Sequence, residues 1–168
     1  MKYTSAQAAK LLRRLNEEHD MLLAEEKESR QFKAALQEDI ESARPPYDFA
    51  AMQRSLDAIN AKIRIVKHAI NVFNTTHTVP GFGMTVDEVL VYLPQLTKRK
   101  DKLILMSKRL EKQREDNSYS GTSIIEYNYA NYRIQEARDM LSEVSETLGK
   151  LQTALDIVNT QETMEIDI

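Results

Sequence analysis

Phe49, Met52, Leu56, Ile59, Ile63, Val66, Ile70 and Phe73 recur at alternating intervals of three and four. This heptad spacing lays one apolar stripe along a helix and predicts knobs-into-holes packing against another helix. Ile134, Ala137, Leu141, Val144, Leu148, Leu151, Leu155 and Val158 repeat the pattern near the end of the chain, with Gly149 as its weak point. A looser stripe through Leu96, Leu103, Met106 and Leu110 follows a capping box at Thr85 and Glu88, and Pro94 within it predicts a kink. The first stripe, Leu12, Leu15 and Leu22, then Phe32, Leu36 and Ile40, is broken by the polar stretch Glu25 to Gln31.

Helix boundaries follow from capping chemistry. Thr4 and Gln7 form a capping box, Pro45 and Pro46 stop the first helix, and Asp48 caps the second. Pro80, Gly81 and Gly83 turn the chain before the third helix, and Asn117 to Ser123 end it. The expectation is an all-α fold: one domain over 1–168, with helices at about 5–42, 49–74, 86–115 and 130–160, arranged as antiparallel helical hairpins in a coiled-coil-like bundle.

Two short segments alternate with period two instead, at about 124–129 (Ile125, Tyr127, Tyr129) and 163–168 (Met164, Ile166, Ile168). Both read as strands. They lie at opposite ends of the last helix, about 45 Å apart, while each reaches back only about 20 Å. Pairing them with each other within one chain is thus barely in reach, whereas two copies with their last helices antiparallel would bring them together. The expected interface comprises Ile125, Tyr127, Tyr129, Leu141, Leu148, Leu151, Leu155, Met164, Ile166 and Ile168.

Composition agrees with long helices. The 168 residues are 29% charged and contain only four Gly and four Pro. With no Cys there is no disulfide framework or thiolate site, no run is apolar enough to span a bilayer, and charges interrupt the N-terminal segment where an export signal needs an apolar core. A cytoplasmic protein with no membrane partner is expected.

Charge adds a second reading. Eight basic residues, Lys98, Arg99, Lys100, Lys102, Lys108, Arg109, Lys112 and Arg114, stand among two acidic ones, a candidate footprint for nucleic acid or another anion. Glu17 to Glu41, however, holds nine acidic and three basic residues, and the net charge is -3, so pairing within the protein or across a subunit interface ranks first. Tyr127, Tyr129 and Tyr132 suit an interface or a base-stacking platform, and the former ranks higher. No catalytic motif, metal-ligand spacing or cofactor signature emerges. His19, His68 and His77 each lack a Glu three residues before them, and the loop at 71–85, with Asn71, Asn74, Thr75 and Thr76, is the weakest candidate, for a small ligand.

Ile70-Asn71-Val72-Phe73-Asn74-Thr75, followed by Gly83-Met84-Thr85-Val86-Asp87-Glu88-Val89-Leu90, resembles the septicolysin-like family of small bacterial helical proteins. That family pairs Ile-Asn-x-x-Asn at the end of one long helix with Gly-x-Thr-Leu/Ile-x-Glu-x-Leu at the start of the next. Leu93 and Pro94 stand where many relatives have Arg-Asp. The resemblance implies a helical fold over roughly the last two-thirds of the chain and no defined activity. The leading expectation is a non-catalytic scaffold or interaction protein that self-associates as a dimer or higher oligomer, open to a further protein partner. A nucleic-acid-associated protein is the alternative.

Overall fold

A computed structural model of the chain describes residues 1–115 and 125–168. Among them the fold is mainly helical, with three two-stranded antiparallel sheets. Two compact units divide the chain: Met1–His77 with Ile157–Ile168, and Thr78–Asp156.

In the first unit, strand β1 (Lys2–Thr4) leads into helix α1 (Ser5–Ser29), a short helix α2 (Ile40–Ala43) and helix α3 (Phe49–Thr76). The Thr4/Gln7 capping box forms as read: the Thr4 hydroxyl accepts from Gln7 N–H, and Gln7 Oε1 accepts from Thr4 N–H. Asp48 Oδ1 caps α3 by accepting from Ala51 N–H at 2.9 Å. Helices α1 and α3 pack along each other. Their directions are antiparallel, because Glu26 near the end of α1 accepts hydrogen bonds from Tyr47 Oη (3.1 Å) and Gln53 Nε2 (2.7 Å) at the start of α3. Ala8, Leu11 and Leu15 on α1 and Leu56, Ile59, Ile63, Val66 and Phe73 on α3 are buried, each large side chain contributing about 1.5–3 kcal/mol. The seam fades toward the α1–α3 turn, where Met21 and Phe49 lie exposed.

Strand β6 (Thr163–Glu165), following the last helix, pairs with β1, placing Lys2, Tyr3 and Thr4 opposite Glu165, Met164 and Thr163. The ladder extends by a bond from Ile166 N–H to the Met1 carbonyl, and Met164 and Ile166 are buried.

In the second unit, β2 (Thr78–Val79) and β3 (Met84–Thr85) form a small hairpin whose turn needs Gly81 (φ 83°) and Gly83 (φ 64°), a left-handed region costly to other residues. The Thr85/Glu88 capping box starts helix α4 (Val86–Ser107), which continues through Pro94. Strands β4 (Lys112–Arg114) and β5 (Tyr127–Tyr129) pair into a ribbon, and helix α5 (Ile134–Gln161) follows, with its residues up to Asp156 in this unit. Tyr132 Oη donates to the Met106 carbonyl at 2.9 Å, joining the end of α4 to the approach to α5.

Several expectations change. The first helix stops at Ser29, not near residue 42, because the polar run beyond Leu22 has no apolar face to pack, and a helix without tertiary burial is marginal. Phe32 and Leu36 are exposed accordingly. The third helix ends at Ser107 rather than 115: its last buried residue is Leu103, and Leu110 lies open. The last helix begins at Ile134, four residues later than 130, after a bend at Asn131 and Tyr132. The two strand-like segments exist, and each is paired within its own chain, β6 with β1 and β5 with β4. Ile124 and the segment Asn117 to Ser123 lie outside the described residues.

Candidate interaction surface

The ribbon holds the sequence features that most nearly carry chemistry. Tyr127 and Tyr129 have the aromatic character that favours strands, whereas Lys112-Gln113-Arg114 have none and are extended through their pairing. The register sets Lys112 opposite Tyr129, Gln113 opposite Asn128 and Arg114 opposite Tyr127. Bonds from Glu115 N–H to the Glu126 carbonyl and from Ala130 N–H to the Glu111 carbonyl extend it at both ends, each 3.0 Å.

Because side chains alternate across a strand, this register sorts the ribbon into two unlike faces. Lys112, Arg114, Tyr127 and Tyr129 share one. Glu111, Gln113, Glu115, Glu126 and Asn128 take the other. On the first face Lys112 Nζ lies 4.0 Å from the Tyr127 ring centroid and 5.6 Å from that of Tyr129. The two rings stand 6.5 Å apart, tilted by 52°. All four side chains belong to exposed residues, Tyr127 at 42% and Tyr129 at 63%.

The rest of the basic stretch precedes the ribbon. Lys98, Arg99 and Lys102 are exposed on α4, Lys100 is half-buried, and Lys108 and Arg109 follow the helix end, where exposed carbonyls favour cations. Ion pairs among the described residues include His19–Asp20, Arg44–Glu41, Arg133–Glu136 and Lys150–Glu146, all between near neighbours in sequence. None of these involves the eight basic residues.

The residues expected at a subunit interface divide. Leu148, Leu151, Leu155, Met164 and Ile166 are buried within the single chain and Leu141 is half-buried, whereas Ile125, Tyr127, Tyr129 and Ile168 are exposed. The heptad seam of α5 is largely covered before any second copy arrives.

At the end of α3, the Thr75 and Thr76 hydroxyls donate to the carbonyls of Asn71 (2.9 Å) and Val72 (2.7 Å). The His77 ring stacks on Phe73 at 4.0 Å, its Nδ1 3.0 Å from the Phe73 carbonyl. These contacts finish the helix. Beside them, a groove of about 460 Å³ between α3 and β6 is lined mainly by Ile65, Ala69, Val72, Phe73 and Met164, with His68 at its side. No cluster of three or more His, Cys, Asp or Glu arranged to hold a metal occurs among the described residues, and none of their helices is long and apolar enough to cross a membrane.

No family model and no curated protein matches this chain. A solved structure does: the crystal structure of a functionally unknown conserved protein from Corynebacterium diphtheriae has a TM-score of 0.59 at 15% identity, covering 98% of this chain and 100% of that one. At that identity the likeness shows a shared fold and nothing of function.

Sequence reasoning missed the meeting of Lys112 and Arg114 with the tyrosines, because it extended the preceding helix to residue 115. The alternation Lys112-Gln113-Arg114, matching Tyr127-Asn128-Tyr129, was the available signal.

Proposed function

We propose that this protein is a non-catalytic, cytoplasmic interaction protein that holds an anionic macromolecule along Lys98–Arg114. The observation carrying the reading is the ribbon face on which Lys112 and Arg114 are exposed beside Tyr127 and Tyr129. Eight cations stand among two acidic residues over Lys98–Arg114, a local positive excess despite the negative net charge, and such a field attracts polyanions in a salt-dependent way. Retention on heparin at low salt, lost as salt rises, is the expected result. Reversing Lys98, Arg99 and Lys102 to Glu should abolish retention with the circular dichroism spectrum unchanged. A parent protein that fails to bind heparin at low salt overturns the reading.

Self-association is a second reading, supported by the groove beside α3, where Ile65 and Val72 remain open at 43% and 45%. An apolar helix face of a second copy would cover them. Sedimentation of the parent and of Val72→Glu tests this: a parent oligomer that dissociates in the variant supports it, and equal masses sink it.

A further inference from the structure

We propose that the Lys112/Arg114/Tyr127/Tyr129 face of the ribbon binds single-stranded nucleic acid, with bases stacking on the two tyrosines and the two cations meeting the phosphates. This rests on the anion-binding reading above and names its ligand.

The face combines the two elements that single-strand binding needs, exposed aromatic rings and cations alongside them. An acidic peptide would satisfy Lys112 and Arg114 but leave both rings in water. In a duplex, base faces are already stacked on one another and cannot reach a tyrosine. A single strand uses all four side chains. The 52° tilt between the rings prevents them from clamping one flat base between them, so each ring offers its own surface to a separate base. Lys112 Nζ now lies over Tyr127 at 4.0 Å, a position that an incoming base would take over. The displaced ammonium, still beside the ring on its flexible stem, would meet the phosphate attached to that base. The carboxylates of Glu111, Glu115 and Glu126 belong to the opposite face and disfavour a phosphate backbone there, so the strand has one side on which to lie.

Binding of a labelled oligothymidylate of about twelve nucleotides, followed by fluorescence anisotropy at low salt, tests the proposal. Tyr127→Leu and Tyr129→Leu should each weaken binding by about tenfold, Tyr127→Phe and Tyr129→Phe should retain it, and heparin retention should be the same in all four variants. A duplex of equal length and a polyglutamate peptide should bind more weakly than the single strand. The proposal fails if the Leu variants bind the oligonucleotide like the parent, or if duplex or polyglutamate binds as tightly. Heparin binding without preference for the single strand refutes this ligand and leaves the anion-binding reading standing. Loss of both refutes the two together. Unchanged circular dichroism in the Leu variants, and rescue by Phe, separate lost stacking from lost folding.

Discussion

Met164 stands directly opposite Tyr3, in an antiparallel pair that ties residues 2–4 to residues 163–165. The tail is therefore part of the core of its own chain. Ile166, only 1% exposed, fills that core from the end of the same ladder. Ile166→Ala should lower unfolding free energy by about 2–5 kcal/mol, a large part of what a domain of this size possesses. Urea denaturation followed by circular dichroism reads the loss. A midpoint equal to the parent's would show that the tail is not docked.

Leu151 is fully buried on α5, in the seam that by sequence alone could have joined two subunits. Leu151→Ala should cost about 2–5 kcal/mol. Thermal melting of the variant at several protein concentrations separates the two roles. A core residue lowers the melting temperature equally at all of them, and an interface residue makes the drop concentration-dependent.

Gly149 sits in α5 on the exposed side, and a Cβ added there meets nothing within 4 Å. Gly149→Ala removes unfolded-state freedom without crowding the helix. It should raise stability by about 0.5–1 kcal/mol, seen as a higher urea midpoint.

Glu88 accepts hydrogen bonds from Thr85 N–H (2.7 Å) and the Thr85 hydroxyl (3.0 Å). These bonds, the backbone one foremost, favour the carboxylate and hold the Glu88 carboxyl below its usual range. With the folded value depressed, the stabilisation is fully present above the unfolded carboxylate range and disappears as pH falls through the folded value. A stability profile from about pH 6 to about pH 3 should therefore fall less steeply for Glu88→Gln than for the parent. Thr85→Ala, which removes the cap itself, should cost about 1 kcal/mol at neutral pH. Parallel profiles for Glu88→Gln and the parent would refute the assignment.

Much of the fold was legible in local pattern. The stripes of α3 and α5 depend only on spacing within one helix, and both helices appear with ends near those expected. The Thr4/Gln7 and Thr85/Glu88 boxes are contacts between residues three apart, so four-residue windows suffice to see them. The C-terminal helix ends that moved, at Ser29 and Ser107, are those whose continuation had good propensity but nothing to pack against. The candidate site was half legible. The basic stretch and the tyrosines were each evident, but their meeting depends on a strand pairing that sets residue 112 opposite residue 129.

The amino-acid sequence by itself determined the helical class, the apolar faces of the two long seams, the caps and the presence of two strand-like pieces, because each depends on neighbours within a few residues. Tertiary structure alone decided which surfaces those faces and strands meet. Pairing residue 3 with residue 164, where Met164 is buried, or residue 112 with residue 129, on an open ribbon, joins positions that no local window contains together. Within the single chain Leu148, Leu151 and Leu155 are buried, and Lys112 and Tyr127 lie together on an open face.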